Sequence, residues 1–322
     1  MGPVVRASVR AVEWPTLALL AATYAVWALG TTVAAGLWLP LGIGLVALAV
    51  AQHSSLQHEA MHGHPTRAAW LNAALVGPAL GLVVPYARFR DQHLAHHRDA
   101  VLTDPYDDPE TNYLDPAVWA RLPGWLRAVL RANNTLLGRL VLGPAVGLAV
   151  FLRGEWAGLR AGDRAVAVGW AWHLPAVAVV ALWWLAGPGQ MPLWAYLAGV
   201  YGGMAILKLR TFLEHQAHAR ASARTAIVED RGPLALLFLN NNLHVVHHMH
   251  PDLPWYRLPA AYAARRDHYL RRNGGYSYRS YAEVFRRHLL RAKDPVPHPL
   301  WPEQQPAEAP DLPHTPPRAA HG

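Results

Sequence analysis

The 322-residue sequence predicts an all-α integral membrane protein with four transmembrane helices in two hairpins, interfacial helices between them and a cytoplasmic His-rich helical cap. Three observations predict it. Only 16% of residues are charged while 52% are hydrophobic, against about 25% charged in soluble domains. Four apolar runs without a charge in their central parts approach the ~20 residues that cross ~30 Å of hydrocarbon. Basic residues avoid two of the connectors and crowd the rest, which is how a membrane chain is oriented.

Residues 1–15 carry Arg6, Arg10 and Glu13 and read as a cytoplasmic N-terminus. No small-residue cleavage site follows a short apolar core, so the first run is a helix and not a removable leader. Residues 16–39 lead outward. After Pro40, residues 41–58 return, their apolar character fading at Gln52, His53, Ser54 and Ser55. Residues 165–187 lead out again and 191–213 return. The connectors at Pro40 and 187–190 hold no Lys or Arg, whereas the N-terminus, 63–164 and the region after Lys208 are Arg-rich and belong in the cytoplasm. Two further stretches, 68–86 and 136–152 (the latter with Arg139), are expected to lie on or dip into the inner surface. If one of them spanned, the His clusters would fall on opposite sides. Residues 16–292 form the membrane domain, with Arg265, Arg266, Arg271 and Arg272 in one basic stretch; the Pro-rich residues 293–322 read as a disordered tail.

The chain has no Cys, which excludes disulfides, thiolate zinc sites and iron–sulfur clusters. Its net charge of +8 is accounted for by membrane orientation and anionic lipid, so no nucleic-acid partner is expected. Only Lys208 and Lys293 are Lys; the rest of the basic residues are Arg, as in a GC-rich bacterial genome, and the bacterial inner membrane is the expected location.

Histidine is the anomaly: there are 19, and thirteen fall in four places. These are His58-Glu59-Ala60-Met61-His62 with His53 and His64; His93-Leu94-Ala95-His96-His97; His215 with His218; and His244-Val245-Val246-His247-His248 with His250. On a helix, residues i, i+3 and i+4 share a face, so HxxxH offers two imidazoles and HxxHH three. At this His content one HxxHH arises by chance about 0.07 times, and there are two. His53, His64, His173, His218 and His250, taken singly, are better read as satisfied or supporting residues. The remaining nine nitrogens exceed one tetrahedral zinc and suit two five- or six-coordinate ions; imidazole alone does not choose among Fe, Zn, Cu and Ni. Glu59, Asp91, Asp99 and Glu214 are candidates to hold ligand N–H groups.

Other readings compete. HExxH at His58–His62 is also the zinc-protease motif, with Glu59 as base, but it has no use for two HxxHH boxes. A metal transporter places ligands within its spans near the midplane, but here the spans hold almost no polar ligand and His173 is alone in 165–186.

HEAMH, HLAHH and HVVHH, in this order around two hairpins, resemble the three His boxes of the membrane fatty acid desaturase superfamily, over about Gln52–Pro259. The resemblance implies a non-haem di-iron centre, two Fe ions that use O₂ on unactivated C–H bonds, with His58, His62, His93, His96, His97, His244, His247 and His248 as ligands and His215 as the ninth. In acyl-CoA members an Asn one turn before that His binds through water; here Thr211 stands there, and Asn240, Asn241 and Asn242 are the alternatives. The implied reaction is O₂-dependent desaturation of a fatty-acyl lipid. Hydroxylation, or carotenoid ketolation or hydroxylation, is the alternative on the same centre, because His247–Pro259 and the acidic Thr103–Asp108 resemble both bacterial desaturases and carotenoid ketolases. No GxGxxG follows a strand and no haem-domain motif is present, so electrons are expected from a separate ferredoxin or cytochrome. Arg88, Arg90, Arg257 and Arg265 are expected to meet bilayer phosphates or an anionic head group.

Overall fold

The computed structural model describes residues 12–97 and 101–301. It is mostly helical. Three helices are long and apolar enough to cross a membrane: Trp14–Leu37, Leu39–Met61 and Arg164–Leu185. The expected fourth span is the 19-residue helix Leu193–Thr211, which carries Lys208 and Arg210 in its last turn and is not among those three.

The first hairpin turns at Trp38, whose backbone is extended, with Pro40 in the first turn of the returning helix, where its missing N–H costs nothing. The two helices touch through glycine. A Cβ on Gly42 would lie 2.7 Å from the Gly30 carbonyl oxygen, within a π-helical turn at Gly30–Ala34. Leu193–Thr211 approaches Leu39–Met61 the same way: a Cβ on Gly199 or on Gly203 would lie 2.7 Å from Val46 or Val50 respectively. Small residues at i and i+4 let helix backbones close in where no hydrophobic effect drives them together. Trp27, Val46, Val50, Leu80, Tyr196 and Val200 fill the core between these helices.

Neither intermediate stretch supplies any of the three helices long and apolar enough to cross a membrane among the described residues. Residues 68–86 form a short helix, Ala69–Leu75, then an irregular segment that ends at Tyr86. That segment sits deep among the helices, and its backbone is satisfied by them. Tyr24 donates to the Leu75 carbonyl at 2.7 Å, Gln57 to Val76 at 3.2 Å and Tyr196 to Leu80 at 2.7 Å. The His173 ring nitrogen lies 2.8 Å from the Leu82 carbonyl, and the Ala79 N–H donates to Ala176. Irregular backbone at this depth persists only when protein donors replace water. Residues 136–152 divide into Leu136–Val141 and the start of Gly143–Arg160. The second of these buries Glu155, which takes Arg88 at 2.8 Å and Trp170 at 3.0 Å. Arg88 is therefore committed to a buried carboxylate, and the exposed Arg90 pairs with Asp91 at 2.8 Å.

The region after Thr211 packs short helices around a feature the sequence reading did not anticipate, a two-stranded parallel sheet of Ile227–Val228 with Ser277–Tyr278. The folded region also extends past residue 292. Residues 293–301, read as the start of a disordered tail, lie along this part of the molecule, with Leu114 N–H donating to Val296 and His298 N–H to Leu114. Pairing with a neighbouring backbone is what composition could not show. The remainder of that tail, 302–322, the first eleven residues and Asp99 lie outside the described residues.

Candidate metal centre

Four elements bring the nine histidines together. His58 and His62 end the helix Leu39–Met61, and His93, His96 and His97 end Tyr86–His96. His244, His247 and His248 lie on the short helix His244–Met249, and His215 follows Leu193–Thr211. Their ring nitrogens sort into two groups, each with all its nitrogens within 4.8 Å of one another: His58, His62, His93, His97 and His247, and His96, His215, His244 and His248.

The sorting follows helix geometry. In the second box the i, i+4 pair His93 and His97 joins the first group while His96 joins the second. In the third box the i, i+4 pair His244 and His248 joins the second group while His247 joins the first. Each HxxHH sends one ring across to the other box's group.

Within the first group the Nε2 atoms of His62 and His93 are 3.2 Å apart, those of His93 and His97 2.9 Å, and those of His97 and His247 3.0 Å. In the second, His215 Nε2 lies 2.8 Å from His96 Nε2 and 3.0 Å from His244 Nε2, with His248 Nε2 3.1 Å from His244 Nε2. Nitrogens bound at about 2.1 Å to one ion and at right angles to each other are about 3.0 Å apart.

Hydrogen bonds on the far side of the rings decide what these nitrogens are. Glu110 Oε1 lies 3.0 Å from His93 Nδ1 and Asp108 Oδ1 2.7 Å from His96 Nδ1. A carboxylate only accepts, so each Nδ1 carries the proton. Asn241 donates its amide to Glu214 at 3.2 Å, which turns its oxygen toward His244 Nδ1 at 3.0 Å. In the neutral forms of His93, His96 and His244 the Nε2 lone pairs therefore point toward the other rings of their groups, where a cation would be held. His58 Nε2 is buried with no hydrogen-bond partner, as a ligand atom would be. The residues present fit a pair of metal ions.

The carboxylates set the local electrostatics. Burial opposes a charge on His96, but Glu110 and the hydrogen-bonded Asp108 outweigh it and raise its pKa to about 9. Burial likewise opposes the Glu110 carboxylate, and His93 and His96 hold its pKa well below the usual range. Burial alone suffices to lower His97, and its imidazole neighbours add to the effect.

Of the expected N–H acceptors, Glu214 lies 3.7 Å from His244 Nδ1 and reaches it through Asn241, pairing also with Arg210 at 2.9 Å. Asp91 is bound to arginine. Glu59 accepts from the Trp255 N–H at 2.8 Å and belongs to a separate buried group with Glu13 and His64, in which His64 Nδ1 lies 2.7 Å from Glu13 Oε1. Because Glu59 faces this group and His58 and His62 share theirs with three more imidazoles, the protease reading loses both its base and its ligand geometry. Sequence reasoning missed Asp108, Glu110 and Asn241 in this role. The acidic run after the second box was the available signal for the two carboxylates. The three Asn considered as a tenth contact are occupied elsewhere: Asn240 donates to Trp255, Asn241 serves His244, and Asn242 donates to Val228. Thr211 Oγ1 is buried without a partner. His53 lies 3.3 Å from the Tyr24 hydroxyl, and His218 accepts from the Arg220 N–H; neither belongs to a group.

Helices long and apolar enough to cross a membrane and two histidine groups that could each hold a metal ion define the class to compare, helical membrane proteins with a histidine-rich metal centre. The family model described as fatty acid desaturase matches residues 35–281, and the chain belongs to that family. Among curated proteins it is similar to the beta-carotene ketolase of Paracoccus sp. (strain N81106 / MBIC 01143), 27% identical over 237 residues that cover 69% of this chain and 74% of the relative. It is also similar to the beta-carotene ketolase of Paracoccus sp. (strain PC1), 28% identical over 238 residues with the same coverage.

Proposed function

We propose that this protein is an O₂-dependent oxidase of lipid C–H bonds, with His58, His62, His93, His97 and His247 holding one iron and His96, His215, His244 and His248 the other. The observation that carries the reading is the five-and-four sorting of nine imidazoles, with Nδ1 of His93 and His96 held by carboxylates on the far side. Two bound irons supply the activation of O₂ that breaks an aliphatic C–H bond. The residues do the rest: Glu110, Asp108 and Asn241 hold the rings, and burial of His58, His93, His96, His244 and His247 keeps bulk water from the reacting bond.

The first reading of the reaction is desaturation of a fatty-acyl lipid. Removing two hydrogens from adjacent carbons yields two electrons. Reducing O₂ to two waters takes four, so two electrons and two protons come from outside. A separate ferredoxin or cytochrome fills that need, and the exposed Arg265, Arg271, Arg286 and Arg287 suit an acidic donor. The arginine-rich regions favour a cytoplasmic position for this face, in a chain read as crossing the bacterial inner membrane four times. The second reading, oxygen insertion into a carotenoid ring, is favoured by the two ketolases. Each insertion takes one O₂ with two electrons and two protons and releases one water.

The test is aerobic expression with a ferredoxin system in two hosts, one of them making β-carotene, each beside His247→Ala. New unsaturated fatty acids by gas chromatography–mass spectrometry, absent with the variant, support desaturation; keto-carotenoids in the second host move the assignment to ketolase. No oxidised lipid in either host, from protein shown to hold two irons, overturns the reading.

A further inference from the structure

Eight of the nine histidines lie in the three boxes. His215 does not, and its ring differs from the two best-anchored rings of its group. His96 and His244 have Nδ1 held by Asp108 and Asn241, whereas His215 Nδ1 is buried with no hydrogen-bond partner. The position of this ring is therefore set by its backbone. Three side chains grip alternate residues there. Tyr276 donates its hydroxyl to the Leu213 carbonyl at 2.6 Å, Lys293 Nζ donates to the His215 carbonyl at 2.6 Å, and the Ala217 N–H donates to the Tyr113 hydroxyl at 2.9 Å.

The three grips are joined. Lys293 Nζ reaches the Tyr276 hydroxyl at 3.1 Å and pairs with Asp294 at 2.6 Å, and Tyr113 donates to Asp294 at 2.6 Å. Lys293 is largely buried, with 9% of its side chain exposed, and Asn134 binds the Asp294 carbonyl. Lys293 and Asp294 lie beyond residues 35–281, the stretch matched by the family model.

We infer that Lys293, locked by Asp294 and Tyr276, is a positioning residue that sets His215 as a ligand of the second metal, so that this metal depends on a C-terminal segment outside the shared family core. The inference rests on the two-metal reading above. A group that orients a ligand without touching the metal is worth 10–100-fold in metal affinity when removed. The first group, with no member near this clamp, is untouched.

The experiment is a cobalt(II) titration of the purified full-length metal-free protein in nanodiscs, followed by visible absorption and by metal count. Unmutated protein takes up two ions. Lys293→Met keeps one site at its original affinity and weakens the other 10–100-fold, with loss of part of the cobalt absorption. Tyr276→Phe, which keeps the ring, weakens the same site by less, and Lys293→Arg restores part of it. In a His215→Ala background Lys293→Met has no further effect, which separates positioning from general destabilisation. Lys293→Met binding two ions within twofold of the unmutated affinities overturns the inference. If Lys293→Met does not fold, unchanged affinities in Tyr276→Phe overturn it instead. Fewer than two ions in the unmutated protein sinks the two-metal reading first, and that failure is read without any variant.

Discussion

The two histidine groups are built from the same motifs but are held differently. The first takes five rings, all from the boxes, and four of them come from two i, i+4 pairs at helix ends. The second takes four, and one of these, His215, stands outside any box and leans on residues 113, 276, 293 and 294 for its place. Helix periodicity supplies most of the first group, so it is largely local in origin. The second is a product of tertiary structure, and it should be the more easily lost.

The largest effects come from the ligands themselves. His247→Ala and His244→Ala should each reduce product to background, and iron analysis should show close to one ion in place of two. His247→Ala should spare the second group and His244→Ala the first, which Mössbauer spectra of the two variants would separate. Next come the acceptors behind the rings. Asp108→Asn should weaken only the second group, by about 10–100-fold. Glu110→Gln should disturb both, because Glu110 lies 3.0 Å from His93 Nδ1 and 4.0 Å from His96 Nε2. Equal effects of the two variants on both groups would contradict this assignment.

A smaller effect is expected from the membrane half. Gly203→Ala places a methyl 2.7 Å from Val50 Cβ and 2.8 Å from the Ala47 carbonyl, and such overpacking costs about 1–3 kcal/mol. The protein should unfold at a lower temperature while still binding two metals.

The smallest concerns pH. Burial first, then Arg224, lowers the pKa of His298, with Asp104 acting against them. Its Nδ1 accepts from the Leu300 N–H at 3.1 Å, so the neutral ring donates through Nε2 to Thr103. A folded pKa below the unfolded value means that the stability is present above about pH 6.5 and is lost as pH falls below it. Protection of the amides in residues 293–301, measured relative to their intrinsic exchange at each pH, should fall between pH 7.5 and 5.5, and metal loss from the second group should precede loss from the first.

Much of this was legible in the sequence. Charge-free runs gave the helices, and HxxHH spacing gave the convergent rings, because both are periodic signals within one element. The five-and-four partition was not legible: it depends on which way each short helix is turned, and nothing in HVVHH says that His247 leaves its neighbours for the other group. Glu110 is missed for the same reason, and Asn241 reads as a metal contact and not as the support of His244, since single polar residues in loops acquire partners only on folding. The segment 293–301 was misread because its Pro content suggested disorder, while its order comes from long-range backbone pairing with Leu114 and side-chain bonds to Tyr113 and Asn134.

The partition also imposes a sequence in time on assembly. Chains emerge N-terminus first, at roughly 5–20 residues per second. Four of the five rings of the first group have been made once His97 is synthesised, but the second group then has only His96. The 150 residues between His97 and His247 take about 8–30 s to make at that rate. One metal position is therefore nearly complete when less than a third of the chain has been made, whereas the other waits for the second hairpin, the third box and the residues that follow them.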